Sequence, residues 1–388
     1  MHIGKRAIVL GIAVLLLPSL VACGAKDEKE KKESETAIEM NADEEKKEEK
    51  KEEVKETLPV ADTVHTELID PEKAEIIWDS FYKYTRGEFT GLIVRELHID
   101  AVNPDAKEKV EVVQISDAHL NYINDKDREE NNPVIMSTYE NRKWNKDASS
   151  YLNLLRAMQY AGQSDQIVLT GDTMDYLSWG AFELLQKGVW DKYPETLVAL
   201  GNHEPVRKMQ GNVADPTSLE SRYQILQENW AHDIYYTSRV IKDSVMVIQM
   251  DDSQLRFWDS QVAQLEADLK LAREKQYTVL LFMHCAVDTR DSSERAFAIW
   301  ENDGRNWDFA QYKLVGRDAQ AGSATQKICD LIANNGDVIR GVFTGHMHAD
   351  YFIPITAKTS TGEQTQIPQY ALTGCAYNKG HVFKIIVE

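Results

Sequence analysis

Five apolar runs of this sequence end at residue types that bind metal ions and transfer protons. The residues that follow the runs are Asp117, Asp172, Asn202, His284 and His346. Carboxylate and amide oxygens and imidazole nitrogens are ligands that zinc, manganese and iron accept. Because five separate runs stop in the same way, the pattern indicates one shared metal site rather than five unrelated turns.

The runs themselves are rich in Val, Ile, Leu and Phe, which predicts buried β-strands. They cover residues 112–116, 167–171, 197–201, 279–283 and 342–345. In open α/β sheets ligands collect outside the carboxyl ends of the strands, so the polar residues there are expected to converge. Two further stretches, at 259–274 and 323–334, have the spacing of helices that cover a sheet.

Each motif has an alternative interpretation when it is taken alone. Asp117 and His119 lie two residues apart, where strand alternation would direct both side chains to the same side. The Gly-Asp at 171–172 is also common in turns, and the GNHE at 201–204 could be a capped helix start. The histidines of GHMH at 345–348 could belong to the core. However, half of the ten histidines lie at these predicted strand ends, which favours a site.

The order of the blocks, D-x-H, G-D, G-N-H-E, one His and G-H-x-H, resembles the calcineurin-like metallophosphoesterase superfamily over residues 112–350. The resemblance implies an α/β fold, a four-layer αββα sandwich of the metallophosphoesterase type, with a dinuclear metal centre and a bridging hydroxide nucleophile. It implies that one metal is bound by Asp117, His119, Asp172 and His348. It implies that the other is bound by Asp172, Asn202, His284 and His346, so that Asp172 bridges the two.

The same resemblance leaves His203 outside the ligand set and makes it the candidate general acid. An imidazolium beside two cations tends to lose its proton, so His203 needs a carboxylate partner. Asp175 resembles the aspartate that orients this histidine in the family. The alternative for Asp175 is a helix N-cap before Tyr176.

Two departures from related patterns narrow the expected activity. No Arg-Gly follows Asp175, unlike the protein Ser/Thr phosphatases of the superfamily, and Asp175 stands where purple acid phosphatases carry a tyrosine. We therefore expect two divalent or trivalent ions of manganese, iron or zinc, and a phosphate monoester or diester as substrate. Nucleotide-like esters are among the candidates, because segments 121–144 and 288–317 carry Arg and aromatic residues. These residues could equally pack the loops.

The start of the chain predicts export and membrane anchoring. Residues 1–23 have the charge order of a lipoprotein signal peptide, with Cys23 as the lipidated residue. Residues 24–57 are mostly Lys and Glu and predict a flexible tether. Residues 58–108 predict a helix and a strand packed on the core, and residues 109–388 predict the catalytic domain. The expected location is the extracytoplasmic side of a bacterial membrane.

Charge and cysteine content exclude some classes of function. The net charge of −19 argues against nucleic-acid binding and against docking on anionic headgroups. Cys285, Cys329 and Cys375 are an odd number and cannot all form disulfides, and Cys285 and Cys375 are predicted to be buried structural thiols. A second hypothesis is a surface lipoprotein that binds a ligand or partner and keeps a vestigial or structural metal site. The complete ligand set together with His203 favours the enzyme.

Overall fold

The computed structural model describes residues 63–67, 92–142, 149–206, 215–288, 314–316, 319–348, 351–352, 354–376 and 380–388. The signal peptide, the lipidation site Cys23 and the tether lie outside these residues, as do the helix expected before Leu92 and most of segment 288–317. Among the described residues, no helix combines the length and the apolar character that crossing a membrane requires.

Two six-stranded sheets form the centre of the fold. Sheet 1 consists, in spatial order, of β1 (Thr63–Glu67), β2 (Leu92–Ile99), β16 (Gly380–Val387), β3 (Val110–Ile115), β4 (Gln166–Leu169) and β5 (Leu197–Val198). Sheet 2 consists of β12 (Tyr351–Phe352), β15 (Gln369–Ala371), β11 (Ile339–Thr344), β8 (Thr278–Phe282), β7 (Val245–Met250) and β6 (Tyr236–Ile241). Two further strand pairs form small sheets of their own, β9 (Ala286–Val287) with β10 (Leu314–Val315) and β13 (Ile355–Lys358) with β14 (Gln364–Ile367).

The strands that precede the predicted ligands are parallel within each sheet. In sheet 1, β3, β4 and β5 are parallel, and in sheet 2, β7, β8, β11 and β15 are parallel. Parallel strands end at the same edge of a sheet, so the polar residues that follow them are brought together there. The strand β2 is parallel to β16 and therefore belongs to sheet 1.

Alternate residues of the central strands enter different hydrophobic cores. In β3, Val110 and Val112 pack between the two sheets, whereas Val113 and Ile115 pack on the outer side of sheet 1. Successive side chains of a strand point to opposite faces, and here both faces are covered. This double burial explains why the strands appear in the sequence as continuous apolar runs.

Helices cover the outer face of each sheet. The α-helices of the described residues are α1 (Asp125–Glu130), α2 (Pro133–Asn141), α3 (Ser149–Ala161), α4 (Trp179–Leu185), α5 (Leu219–Asn229), α6 (Asp259–Lys275) and α7 (Ala324–Ala333). Residues of α3, α4 and α5 contribute to the core outside sheet 1, and residues of α6 and α7 to the core outside sheet 2. The layers are therefore helix, sheet, sheet and helix, which confirms the αββα sandwich. The helices predicted at 259–274 and 323–334 are also confirmed, as α6 and α7.

Candidate metal centre

The predicted ligands lie on loops that leave the strand ends in an unusual backbone conformation. Asp117, His119, Asp172, His346 and His348 all have positive φ, between 47° and 65°. They are five of the ten non-glycine residues with positive φ in the described part of the chain. This conformation costs on the order of 1 kcal/mol or more per residue and persists where the surrounding structure enforces it, typically at functional sites.

Asp117 and His119 meet for a different reason than the strand alternation that we expected. The strand β3 ends at Ile115, so both residues lie beyond the strand. The prediction that strand alternation directs their side chains to one side was therefore wrong. The backbone N–H of Asp117 donates to the carbonyl of Gly171 at 3.0 Å, and that of His119 donates to the carbonyl of Asp172 at 2.9 Å. The loops after β3 and β4 therefore run side by side, and their hydrogen bonds fix both side chains.

Two glycines allow the loops to approach closely. A Cβ at Gly345 would lie 1.8 Å from Ser116 Oγ and 2.3 Å from Asp117 Oδ2, and a Cβ at Gly201 would lie 2.2 Å from Asp172 Oδ1. No side chain fits at these distances, so glycine is required where sheet 2 meets the D-x-H loop and where the G-D and G-N-H-E loops meet.

Three predicted imidazoles are oriented through Nδ1. His119 Nδ1 donates to Asp175 Oδ1 at 3.0 Å, and His284 Nδ1 donates to the carbonyl of Thr170 at 2.8 Å. His203 Nδ1 donates to the carbonyl of Asp175 at 2.9 Å. Carboxylate and carbonyl oxygens only accept hydrogen bonds, so Nδ1 carries the proton in each ring. In a neutral ring the Nε2 lone pair is then left for the site.

The first predicted ligand set comes together around His348. His348 Nε2 lies 3.0 Å from His119 Nε2 and 3.0 Å from Asp117 Oδ1. Asp172 completes a group of four residues whose ligand atoms lie within 4.8 Å of one another. Asp117, His119 and Asp172 are buried, and His348 is partly exposed. The four residues are those that the resemblance implied for one metal.

The second predicted set comes together around His284. His284 Nε2 lies 3.3 Å from Asp172 Oδ2 and 3.2 Å from Asn202 Oδ1. The ring centroids of His284 and His346 are 4.6 Å apart. The Cys285 thiol also lies near these two histidines but belongs to the core between sheet 2 and its helices. The structure thus brings all seven predicted ligands to one edge of the sandwich, and Asp172 takes part in both sets.

These separations fit donors that surround cations. Two adjacent ligand atoms on a cation with bonds of about 2.1 Å are about 3.0 to 3.4 Å apart. The separations around His348 are 3.0 and 3.0 Å, and those around His284 are 3.3 and 3.2 Å. Lone pairs that face each other at such distances repel unless a proton or a cation lies between them. The donor sets therefore fit two metal ions.

The charges at the centre favour the same conclusion. Burial alone raises the pKa of Asp172 and of Asp117, but the neighbouring imidazoles hold both below their ordinary values. Burial alone lowers the pKa of His284, but the negative charge of Asp172 outweighs it and raises the pKa to about 10. Both carboxylates are therefore anionic, and without a metal a proton on His284 Nε2 balances part of the charge that a bound cation would balance instead.

Asp175 has more partners than the sequence suggested. Its carboxylate accepts from His119 and lies 3.2 Å from His203 Nδ1. Arg142 Nε donates to Asp175 Oδ2 at 2.6 Å, and Arg142 Nη2 donates to Oδ1. Burial alone raises the pKa of Asp175, but these donors hold it well below its ordinary value. The alternative reading of Asp175 as a helix cap is wrong, because Ser178 caps α4.

Two buried carboxylates to which the sequence assigned no role hold the loops of the site in place. Asp252 accepts from the backbone N–H groups of His284 and Cys285 at 3.0 and 2.9 Å. Glu204 accepts two backbone N–H groups at each oxygen, those of Thr173 and Met174 at Oε1 and those of Asp172 and Gly201 at Oε2. Burial raises the pKa of Glu204 to about 7 and that of Asp252 to about 8. The signal for Glu204 was its place in GNHE, and Asp252 had only its place after an apolar run.

We expect Glu204→Gln to lower the free energy of unfolding by about 2 to 6 kcal/mol. Each carboxylate oxygen accepts two buried N–H groups, so the new amide NH2 faces two donors in either orientation. Each unpaired buried N–H costs about 1 to 3 kcal/mol. Urea unfolding measures the loss, with the exposed Glu228→Gln as the matched control. A loss below about 0.5 kcal/mol, the usual range of a surface substitution, would contradict the role of Glu204.

The sequence profile described as calcineurin-like phosphoesterase matches residues 110–350, which is more than half of the chain. The chain belongs to this family. It is therefore a phosphoric ester hydrolase, and the resemblance read from its five blocks is confirmed. A comparison with curated protein sequences finds no significant match.

Two solved structures are similar to the chain at low sequence identity. A dimetal phosphatase from Danio rerio is 15% identical, with a TM-score of 0.39 over 69% of this phosphoesterase and 88% of the fish protein. A purple acid phosphatase from yellow lupin, Lupinus luteus, is 13% identical, with a TM-score of 0.38 over 76% of this chain and 45% of the plant enzyme. At these scores the similarity says nothing about the substrate.

Proposed function

We propose that this phosphoesterase hydrolyses small phosphate monoesters or diesters with two bound ions of manganese, iron or zinc. The observation that supports this most is the pair of donor sets with separations of 3.0 to 3.3 Å that share Asp172. Bound cations would supply the positive charge that attracts a phosphate ester and lower the pKa of a water molecule. One set is Asp117, His119, Asp172 and His348, and the other is Asp172, Asn202, His284 and His346.

His203 is the general acid in this proposal, and Asp175 orients it. His203 Nδ1 donates to the carbonyl of Asp175, and Nε2 lies 3.7 Å from Asp172 Oδ2, on the side of the metal ligands. Burial alone lowers the pKa of His203, but the charges of Asp172 and Asp175 outweigh it and raise the pKa. A protonated Nε2 can give its proton to the oxygen of the leaving group.

Nucleotide-like esters are the substrate class to test first. The segments at 121–144 and 288–317 carry Arg and aromatic side chains that can hold a second phosphate or stack on a base. Within the described part of these segments, Tyr139 packs against Ile123 and Tyr176, which is the loop-packing alternative for that residue.

The test is hydrolysis by the full chain of p-nitrophenyl phosphate, bis-p-nitrophenyl phosphate and a panel of nucleotides. We expect turnover when manganese is added. We expect this turnover to be lost after chelation and to return when the metal is restored. Absence of metal-dependent turnover on every ester would contradict the proposal and favour the alternative, a binding protein with a vestigial metal site.

We also propose that the chain is exported and anchored by lipid on Cys23 at the extracytoplasmic side of the membrane. Lys5 and Arg6, the apolar residues 7–17 and the residues Leu20-Val21-Ala22 before the cysteine support this proposal. Mass spectrometry of the protein from a bacterial membrane fraction should find a lipidated Cys23 as the first residue. Cys23→Ser should leave the chain unprocessed. An unmodified chain that begins at Met1 in the wild type would contradict the proposal.

A further inference from the structure

Arg142 lies outside the predicted ligand set but contacts Asp175, the carboxylate beside two histidines of the centre. Arg142 contacts Asp175, and Asp175 contacts both His119 and His203. We propose that Arg142 is a positioning residue, which fixes the carboxylate of Asp175 so that it orients a metal ligand and the general acid together. The inference rests on the proposed function, because it takes the roles of His119 and His203 from there.

The geometry of the ion pair is suited to fixing the carboxylate. The Asp175 side chain is fully buried and that of Arg142 is 14% exposed. Arg142 donates to both oxygens, Nε to Oδ2 and Nη2 to Oδ1. Two parallel hydrogen bonds from a planar guanidinium hold the plane of a carboxylate, which a single contact does not. Oδ1 then lies 3.0 Å from His119 Nδ1 and 3.2 Å from His203 Nδ1.

The segment that carries Arg142 is itself attached to the chain beyond Asp175. Arg142 follows α2 and its backbone N–H donates to the carbonyl of Thr138. Asp127 of α1 is buried and accepts from the backbone N–H groups of Trp179 and Gly180 at 2.9 and 2.7 Å, at the start of α4. These hydrogen bonds hold the segment of α1 and α2, and therefore the guanidinium of Arg142, in a fixed position. We expected segment 121–144 either to contact the substrate or to pack its own loop. Arg142 of this segment instead contacts Asp175 inside the site.

The main competing role for Arg142 is direct contact with the phosphate of the substrate. The two roles predict different kinetics. A substrate contact raises KM for all esters alike, whereas a positioning residue lowers kcat, most for esters whose leaving group needs a proton. It also weakens metal binding in the absence of substrate, because His119 loses its orientation.

The experiment compares Arg142→Met and Arg142→Lys in the full chain. The matched control is Arg222→Met, since Arg222 is 15% exposed and pairs with Asp215 at 2.8 Å rather than with Asp175 or a predicted ligand. The affinity for Mn²⁺ is measured by titration without substrate. The value of kcat is measured at saturating Mn²⁺ for p-nitrophenyl and phenyl phosphate esters, whose leaving groups are good and poor. Thermal unfolding shows that each variant is folded.

We expect Arg142→Met to weaken Mn²⁺ binding about tenfold and to lower kcat by about 10- to 100-fold, more for the phenyl ester. Arg142→Lys keeps the charge but not the paired hydrogen bonds, so it should lose less, and Arg222→Met should match the wild type. In a His203→Ala background, Arg142→Met should still weaken Mn²⁺ binding but no longer change the ratio between the two esters. If Arg142→Met does not fold, Arg142→Lys carries the same comparison.

Unchanged Mn²⁺ affinity together with an unchanged ester ratio would overturn the proposal. A higher KM with unchanged kcat would overturn it as well and would place the guanidinium on the substrate. A wild type without turnover on any ester would count against the proposed function, while the Mn²⁺ titration would still decide whether Arg142 positions His119.

Discussion

Asp172→Asn should abolish most of the hydrolytic activity, with a fall in kcat/KM of about 10³-fold or more. Asparagine keeps the size of the side chain and tolerates the φ of 48° at this position. It removes the negative charge that the two donor sets share. Loss of this charge between two cations costs several kcal/mol, and about 4 kcal/mol corresponds to about 10³-fold in rate.

The metal content of the same variant separates the causes of this loss. We expect Asp172→Asn to bind both metals more weakly, as measured by titration with Mn²⁺ and by elemental analysis after gel filtration. The control is Asp243→Asn, because Asp243 has a similar φ of 49° and lies in the turn between β6 and β7. Wild-type affinity for both metals in Asp172→Asn would show that the carboxylate does not bridge them.

His203→Ala should keep both metals and lose about 10²- to 10⁴-fold in kcat on esters with poor leaving groups. His203 lies beside the ligands but outside both donor sets, and its Nδ1 is occupied by the carbonyl of Asp175. Esters of p-nitrophenol should suffer much less, since their leaving group departs without a proton. The measurement is kcat for a series of esters at saturating metal.

The series needs a histidine control and a metal measurement. His98→Ala is suitable, because His98 is exposed and pairs only with Glu96 and Glu388 among the contacts described. A loss that is equal for good and poor leaving groups would contradict the role of His203 as general acid. A parallel loss of metal would instead make it a ligand.

The strands and the convergence of the site could be predicted because both depend on local patterns. Strands buried on both faces produce continuous apolar runs, and parallel strands end at one edge, so Asp117, Asp172 and His284 were expected to meet. The helices α6 and α7 were predicted from another local pattern, the helical spacing of their apolar residues. The family motif supplied the order of the blocks and the division of the ligands between two metals.

The hydrogen bonds that hold the loops could not be predicted, because they join residues that are distant in the sequence. Arg142 contacts Asp175 across 33 residues, and Glu204 contacts Thr173 across 31 residues. The positive φ of His119 was also missed, since a histidine in an apparent strand end gives no signal of a left-handed backbone. These features arise only when the loops of both sheets are placed side by side.

Neither sheet alone supplies a complete donor set. Asp117, His119, Asp172 and Asn202 follow strands of sheet 1, whereas His284, His346 and His348 follow strands of sheet 2. A cation bound by either set would therefore cross-link the two halves of the sandwich, and its binding energy would contribute to holding them together. Removal of the metals would then lower the free energy of unfolding of the protein as well as abolish its activity.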